Sequence, residues 1–278
     1  MKQRRSELII RQWKPHNIDG IRLLTTSYQL HQFPNHFHDY YSFLSVRKGV
    51  NEGFTEKTPY RFGTGAVLTI GPGQVHAGNS YQKKPLIFDV LHVEDKALQE
   101  WSFRNNITPS TYEFSRAPFT SAKAYKLFEQ LSAAIRLKES TLQIELLFDQ
   151  FISTMVSGDA THCPTERDSC KRGTKPYVAR SIEYLHAHYD QDITLQELSA
   201  AACVSPHHLI RQFHKQLGLT PFQYLRNYRV DQARKQLIDN SNLASISASV
   251  GFYDESHFIR NFYQILGVSP SSYRKALS

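Results

Sequence analysis

Two stretches of this 278-residue chain repeat one another 49 residues apart, and that repeat restricts the fold more than any other feature. Ser205-Pro206-His207-His208-Leu209-Ile210-Arg211-Gln212-Phe213 runs in register with Asp254-Glu255-Ser256-His257-Phe258-Ile259-Arg260-Asn261-Phe262. The match continues through Gly218 and Gly267, Thr220-Pro221 and Ser269-Pro270, and Tyr224 and Tyr273. Upstream, Leu198 to Val204 resembles Ile246 to Phe252, with the register displaced by one residue. Each copy opens on a side chain able to cap a helix N-terminus and closes on a glycine suited to a left-handed C-cap. Leu209, Phe213 and Leu217 recur at helical spacing, as do Phe258, Phe262 and Ile265, so each second helix has one apolar face. The small residues Ala201, Ala202, Ser249 and Gly251 allow a preceding short helix to approach closely. Each copy therefore reads as a short helix, a tight turn and a second helix, the helix-turn-helix signature.

The residues around the repeat agree with this reading. Val178, Ile182, Leu185 and Tyr189 share a helical face, and Thr194-Leu195-Gln196-Glu197 forms a capping box. Phe222 to Asp239, with Phe222, Leu225, Ala233 and Leu237 as its apolar positions, reads as a long helix joining the two copies. The outward side chains of the second helices are His207, Ile210, Arg211 and His214 in the first copy and Glu255, Ser256, Ile259 and Arg260 in the second. These are the candidates for DNA contact, because tandem reading helices can enter successive major grooves roughly 34 Å apart on B-DNA. Arg211 and Arg260 are the candidate guanine readers, since one guanidinium bonds O6 and N7 together. His208 and His257 lie beside the apolar row and are expected to be structural.

Ahead of this region the pattern changes. Ile21 to Ser27, Tyr40 to Val46, Ala66 to Ile70 and Leu86 to Val93 are short β-rich runs, separated by Arg47-Lys48-Gly49, Gly63-Thr64-Gly65 and Gly71-Pro72-Gly73. Residues 119–157 return to helical period. There Ile144, Leu147, Phe148, Phe151, Ile152 and Met155 make one face behind a capping box at Ser140-Thr141-Leu142-Gln143. The segment is expected to hold a homodimer together if that face is an interface, and otherwise to pack on the barrel. The stretch that follows holds almost no apolar side chain and reads as a linker. The expected organisation is α+β: a barrel domain over 1–118, a helical dimerisation segment over 119–157, the linker over 158–175 and an all-α tandem helix-turn-helix domain over 176–278.

Residues 176–278 resemble the tandem helix-turn-helix domain of AraC/XylS-type regulators, above all in Val250-Gly251-Phe252 through Gly267-Val268-Ser269-Pro270. The resemblance implies a transcription regulator that binds double-stranded DNA in the major groove over two successive turns and answers a small-molecule effector. Activation is its commoner behaviour, with RNA polymerase as the further partner. His36-Phe37-His38-Asp39, Gly49, Gly65, Pro72-Gly73-Gln74-Val75-His76 and Asn79 resemble the cupin pattern, which implies a small double-sheet β-barrel. In metal-binding cupins a His-x-His pair, a Glu and a later His form the site. Here Ser42 takes the Glu position, which removes the anionic ligand. His36, His38, Tyr40 and His76 are accordingly expected to line an effector pocket, with no metal, no cofactor and no catalytic residue. Tyr28, Phe33, Tyr41, Phe43, Phe54, Tyr60 and Tyr81 could add aromatic walls, and Arg22, Arg47 or Arg61 a cation. The alternative is a metal-dependent cupin, enzyme or metal sensor, fused to a DNA-binding domain.

Composition narrows the class without locating the site. The net charge of +8 and the pI near 9.3 suit a nucleic-acid partner. Yet residues 175–278 hold 11 Lys and Arg against 8 Asp and Glu, so most of the surplus lies elsewhere. No run approaches the roughly 18 uninterrupted apolar residues of a membrane span. Arg11, Lys14 and Pro15 interrupt the apolar start at Leu8-Ile9-Ile10, so a signal peptide is not expected and the protein is placed in the cytoplasm. Cys163, Cys170 and Cys203 are too scattered for a disulfide framework or a zinc module, and Cys203 is expected to be buried in an apolar helix.

Overall fold

A computed structural model describes residues 9–29, 32–56, 58–107, 114, 117–159, 175–237 and 242–277. The chain divides into two compact units. One comprises Met1–Gln32, Asp39–Pro164 and Ala276–Ser278, and the other Phe33–His38 and Thr165–Lys275.

The strands are β1 (Ile9–Trp13), β2 (Ile21–Tyr28), β3 (Gln32–His36), β4 (Tyr40–Lys48), β5 (Asn51–Thr55), β6 (Thr58–Phe62), β7 (Ala66–Ile70), β8 (His76–Ser80), β9 (Leu86–Glu94) and β10 (Phe119–Thr120). They make a six-stranded sheet in the order β1-β2-β9-β4-β7-β10 and a four-stranded sheet in the order β3-β8-β5-β6. The four β-rich runs of the sequence are β2, β4, β7 and β9. They are legible because both faces of the larger sheet are covered, which makes them nearly continuous apolar runs. The four-stranded sheet hides in the sequence. His76-Ala77-Gly78-Asn79-Ser80 has no apolar alternation and becomes a strand through its antiparallel register with β5, Gly53 opposite Gly78 and Asn51 opposite Ser80. The turn from β4 to β5 requires Gly49, whose φ is +90° and whose Cβ, if present, would stand 2.5 Å from the Pro85 carbonyl oxygen.

Helices α1 (Asp95–Arg104), α2 (Ala122–Leu137) and α3 (Thr141–Asp159) cover the outer face of the larger sheet. Leu23, Phe43 and Leu91 from the sheet meet Leu98 and Trp101 of α1, Phe128 of α2 and Phe151 of α3 in one core. The predicted row Ile144, Leu147, Phe148, Phe151, Ile152 and Met155 is wholly buried in that core. Of the two readings of this face, packing holds: the row fixes α3 to its own barrel, where each side chain stabilises by about 1.5–3 kcal/mol, and it is not free to meet a second chain. The exposed apolar residues of the hairpin lie at its turn instead, at Leu137, Leu142 and Leu146.

The second unit holds α4 (Pro176–Ala187), α5 (Leu195–Ala202), α6 (Pro206–Leu217), α7 (Pro221–Gln236), α8 (Leu243–Ser249), α9 (Glu255–Leu266) and α10 (Pro270–Leu277). Thr194 and Glu197 close a full capping box on α5, and Thr220 with Gln223 another on α7. Gly218 and Gly267 end α6 and α9 in the left-handed conformation. Two expectations are corrected here. Cys203 is exposed, because it ends α5 as a left-handed C-cap at φ 56° instead of lying inside a helix. Phe222 is exposed on α7, since its position falls on the solvent side of that helix. The joining helix is described to Gln236, with Leu237 as its buried C-cap; residues 238–239 of the expected stretch lie outside the described residues, as do Cys163, Cys170 and residues 160–174 of the expected linker.

Candidate nucleic-acid interface and effector barrel

The repeat sorts the side chains of α6 and α9 into two faces. Leu209 and Phe213 on α6, and Phe258 and Phe262 on α9, are fully buried. Gln212 and Asn261, a repeated polar position that the apolar pattern did not flag, are buried beside them, and Asn261 Nδ2 donates to the His257 carbonyl at 2.8 Å. His207, Ile210, Arg211 and His214 are exposed together on α6. On α9, Glu255, Ser256 and Arg260 are exposed, while Ile259 is half-buried. His208 packs edge-on against Tyr177 at 5.4 Å between ring centroids, and His257 against Phe252 at 5.5 Å.

The two faces are held by a rigid frame. His186 of α4 stacks on Tyr228 of α7 at 4.1 Å and shares a 3.0 Å hydrogen bond with Tyr224, and burial holds its imidazole below the usual histidine range. Arg229 of α7 donates from Nε to the Tyr189 carbonyl at 2.6 Å and from Nη2 to the Gln191 carbonyl at 2.7 Å. Gly251, at φ +80°, lies against this bracket; a Cβ there would stand 2.8 Å from the Tyr189 oxygen and 2.9 Å from Arg229 Nη2. The turn ahead of α9 therefore has a fixed position within the second unit.

Between the sheets of the first unit, the inward residues of β2, β4 and β9 include Thr26, Tyr28, Tyr40, Ser42 and Phe88, and those of β5, β6 and β8 include Asn51, Thr55, Tyr60, Phe62 and His76, all buried. None of these ten is an Asp, Glu, Lys or Arg. Burial pushes the Tyr60 phenol far up, and burial together with the nearby Tyr60 phenol does the same to Tyr28, so the two face each other across the sheets as neutral hydroxyls. Tyr60 donates to the Ala77 carbonyl at 3.1 Å. Asn51 is 1% exposed, and its Oδ1 finds no hydrogen-bond partner among the described residues.

The expected effector residues do not share one geometry. Tyr40 lies on His92, 4.4 Å between centroids. His76 sits on β8 with its Nδ1 2.9 Å from the Gln74 carbonyl. His36 and His38 belong to the residue set of the second unit, with their rings 6.4 Å apart. Burial pushes His36 down to about 4, against the Pro34 carbonyl that its Nδ1 meets at 2.8 Å, so it is a neutral imidazole. Two of the proposed cations are engaged away from the lumen: Arg47 faces Asp89 on the helix side of the larger sheet, and Arg61 pairs with Glu52 and covers the Tyr81 ring at 4.1 Å. Arg22 pairs with Glu94 at 3.1 Å. Tyr41 and Phe43 also lie on the helix side, each against Phe114. Among the described residues no group of three or more His, Cys, Asp and Glu is placed to hold a metal ion. Outside the barrel, an open groove of about 950 Å³ between α1, α3 and the β1–β2 turn is lined by Asp19, Phe103, Arg104 and Glu145, none of which belongs to the expected set.

A family model described as a helix-turn-helix domain matches residues 198–276, and one described as an AraC-like ligand binding domain matches residues 20–152. The chain belongs to the AraC family of transcription regulators. This AraC-family regulator is 26% identical over 234 residues to YbfI, an uncharacterised HTH-type transcriptional regulator of Bacillus subtilis (strain 168), with 82% of each chain covered. It is 26% identical over 249 residues to the MmsAB operon regulatory protein of Pseudomonas aeruginosa, covering 84% of its own length and 71% of that protein. Its fold is similar to that of an apo ToxT variant from Vibrio cholerae strain SCE256, with a TM-score of 0.58 at 13% identity over 98% of each chain. The regulator thus pairs an N-terminal ligand-binding domain of two antiparallel sheets and helices with a C-terminal DNA-binding domain. None of its described helices is long and apolar enough to cross a membrane.

Proposed function

We propose that this regulator reads double-stranded DNA with α6 and α9 in two successive major-groove turns, and that an uncharged small molecule held between its two sheets controls that binding. The observation that carries the first part is the repeated split of each helix into a buried apolar row and an exposed polar row. His207, Ile210, Arg211 and His214 then make one reading surface, and Glu255, Ser256, Ile259 and Arg260 the other. Arg211 and Arg260 take guanines, and Glu255 accepts from the amino group of a cytosine. The domain limits follow the same division: the barrel over 1–118, the helical segment over 119–157, a linker over 158–175 and the DNA-binding domain over 176–278.

For the effector, the support is the chemistry of the lumen. A buried ionic ligand needs a buried counter-charge; Arg22, on the same face of β2 as Thr26 and Tyr28, is already paired with Glu94, and the ten inward residues named above include no Asp, Glu, Lys or Arg. Tyr28, Tyr60 and Asn51 suit a ligand with hydroxyl or amide groups. His76 and Tyr40 are kept in the proposed lining, with His36 and His38 near the same strands in sequence. The protein acts in the cytoplasm as an activator that meets RNA polymerase and catalyses nothing itself. It works as a homodimer through Leu137, Leu142 and Leu146 at the helical hairpin turn. Leu142→Glu with Leu146→Glu is expected to give a folded monomer by light scattering; an unchanged dimer refutes that surface.

Selection of binding sites from a random DNA library by the full chain tests the central reading. Arg211→Ala and Arg260→Ala are each expected to weaken the selected site by about 1–3 kcal/mol and to relax base preference in different halves of it. Uniform weakening with unchanged preference would reduce both arginines to phosphate contacts.

A further inference from the structure

The repeat does not keep one register, and the structure locates the break. At the end of each first helix the backbone bonds coincide at a spacing of 48: Cys203 N–H to Ala200 O at 3.0 Å and Gly251 N–H to Ala248 O at 3.1 Å, then Val204 N–H to Ser199 O at 3.1 Å and Phe252 N–H to Ser247 O at 3.0 Å. At the start of each reading helix the caps coincide at a spacing of 49: His208 N–H to Ser205 Oγ at 3.4 Å and His257 N–H to Asp254 Oδ1 at 2.6 Å. Between these two fixed points the first copy has one residue, Val204, and the second has two, Phe252 and Tyr253. Phe252 is buried at the Val204 position, so Tyr253 is the inserted residue.

Tyr253 is 94% exposed, a large aromatic side chain left in solvent. It immediately precedes the N-cap of α9, and its backbone is fixed on both sides, by Gly251 against Tyr189 and Arg229 and by the Asp254 cap. We infer that Tyr253 is a positioning contact to DNA found only in the second copy, its hydroxyl donating to a phosphate oxygen beside the half-site that α9 reads. The inference rests on the reading of α9 as a DNA-contacting helix. If Glu255 and Ser256 reach base edges, Tyr253 is two and three residues away at the helix tip, where the flanking strand passes. Tyrosine hydroxyls are among the side-chain groups that bond phosphates and fix register on the duplex. A neutral donor also suits this tip, because Asp254 and Glu255 put two carboxylates where the first copy has Ser205 and Pro206, and these repel a phosphate that a hydroxyl can hold.

The test uses the full chain and the DNA site that the wild type selects from a random library. Tyr253→Ala and Tyr253→Phe are both expected to weaken binding by about tenfold, with unchanged base preference and an unchanged melting temperature, and each is expected to abolish ethylation interference at one phosphate in the α9 half of the site. Wild-type affinity in Tyr253→Ala overturns the inference. So does a variant that binds normally yet fails to activate transcription, which would make Tyr253 a contact to polymerase. A Tyr253→Phe that binds like wild type removes the hydroxyl contact and refutes the phosphate assignment. Failure of the wild type to select any sequence would instead sink the reading of α9 itself, so the two failures are told apart.

Discussion

The two helix-turn-helix copies share a core and differ at the surface. Leu209 and Phe213 correspond to Phe258 and Phe262, Gln212 to Asn261, and Gly218 to Gly267, and the corresponding residues have matching burial or backbone conformation. The outward faces diverge. From Ser205 to Gly218 the first copy carries Arg211 and Lys215 and no carboxylate, whereas from Asp254 to Gly267 the second carries Asp254 and Glu255 against Arg260. Packing constrains the buried row in both copies because each helix must seat on the same frame. Solvent leaves the outward row free to diverge, so the difference between the copies reports what each one touches. On the proposed reading, the first copy is suited to hold the phosphate backbone through its cations, and the second, with Tyr253 as its phosphate contact at the tip, to discriminate by base.

The largest effects should fall on what the copies share. Phe213→Ala and Phe262→Ala each empty a fully buried site and are expected to cost about 3–5 kcal/mol in denaturant unfolding. Near-equal costs would sharpen the comparison by confirming equivalent cores; a loss confined to one copy would break it. A smaller effect separates the outward faces. Lys215→Gln is expected to lower the salt dependence of binding by about one counterion. Glu255→Gln is expected to tighten binding to random-sequence DNA by about 1 kcal/mol or less while reducing discrimination at its base. Equal responses of both copies to charge removal, read by titration at several salt concentrations, would refute the division between holding and discriminating.

How much of this was legible in the sequence depended on how local the cause was. The helix-turn-helix domain is built from contacts within 12-residue helices, so capping residues and apolar spacing announced it, down to Thr194 with Glu197 and the two C-cap glycines. The larger sheet was readable where both faces are apolar. The smaller sheet was not, because β5, β6 and β8 carry Gly53, Pro59, Gly78 and Asn79, which break the apolar alternation, and β8 owes its conformation to β5, more than twenty residues away. The α3 face was recognised as apolar, but periodicity records only that a face is covered and not by what; here the barrel covers it. A left-handed C-cap leaves no compositional trace when a cysteine fills it, so Cys203 reads in the sequence as a residue inside the helix. The one-residue register shift was visible, but only the backbone bonds on either side assign it to Tyr253. The candidate DNA residues emerge as the complement of the core row, whereas the effector residues had no comparable period to select them.

The smallest effect expected separates the first helices of the two copies through acid. On α5 the Thr194 backbone N–H and hydroxyl both donate to Glu197 Oε2 at 2.8 Å. The backbone bond, followed by the hydroxyl, holds the Glu197 carboxyl below the usual carboxylate range. On α8 the equivalent cap is Asn242, whose Oδ1 accepts from the Ala244 N–H at 2.8 Å and does not titrate. A folded-state pKa below the unfolded one means that the unfolded chain takes up the proton more readily. The contribution of Glu197 is therefore complete above the unfolded glutamate value of about 4.3, and is lost as pH falls through the lower folded value. Glu197→Gln keeps an acceptor oxygen but removes the charge. The wild type should melt above this variant at neutral pH, with the gap closing as the solution is acidified below about pH 4. Asn242→Ser should instead show a deficit that does not change with pH relative to the wild type. Because Glu197 lies in solvent, salt should shrink the Glu197 gap while leaving the Asn242 deficit alone. A Glu197→Gln deficit that persists unchanged at low pH would mean that the box is held by hydrogen bonding alone, and the two first helices would then be capped in the same way.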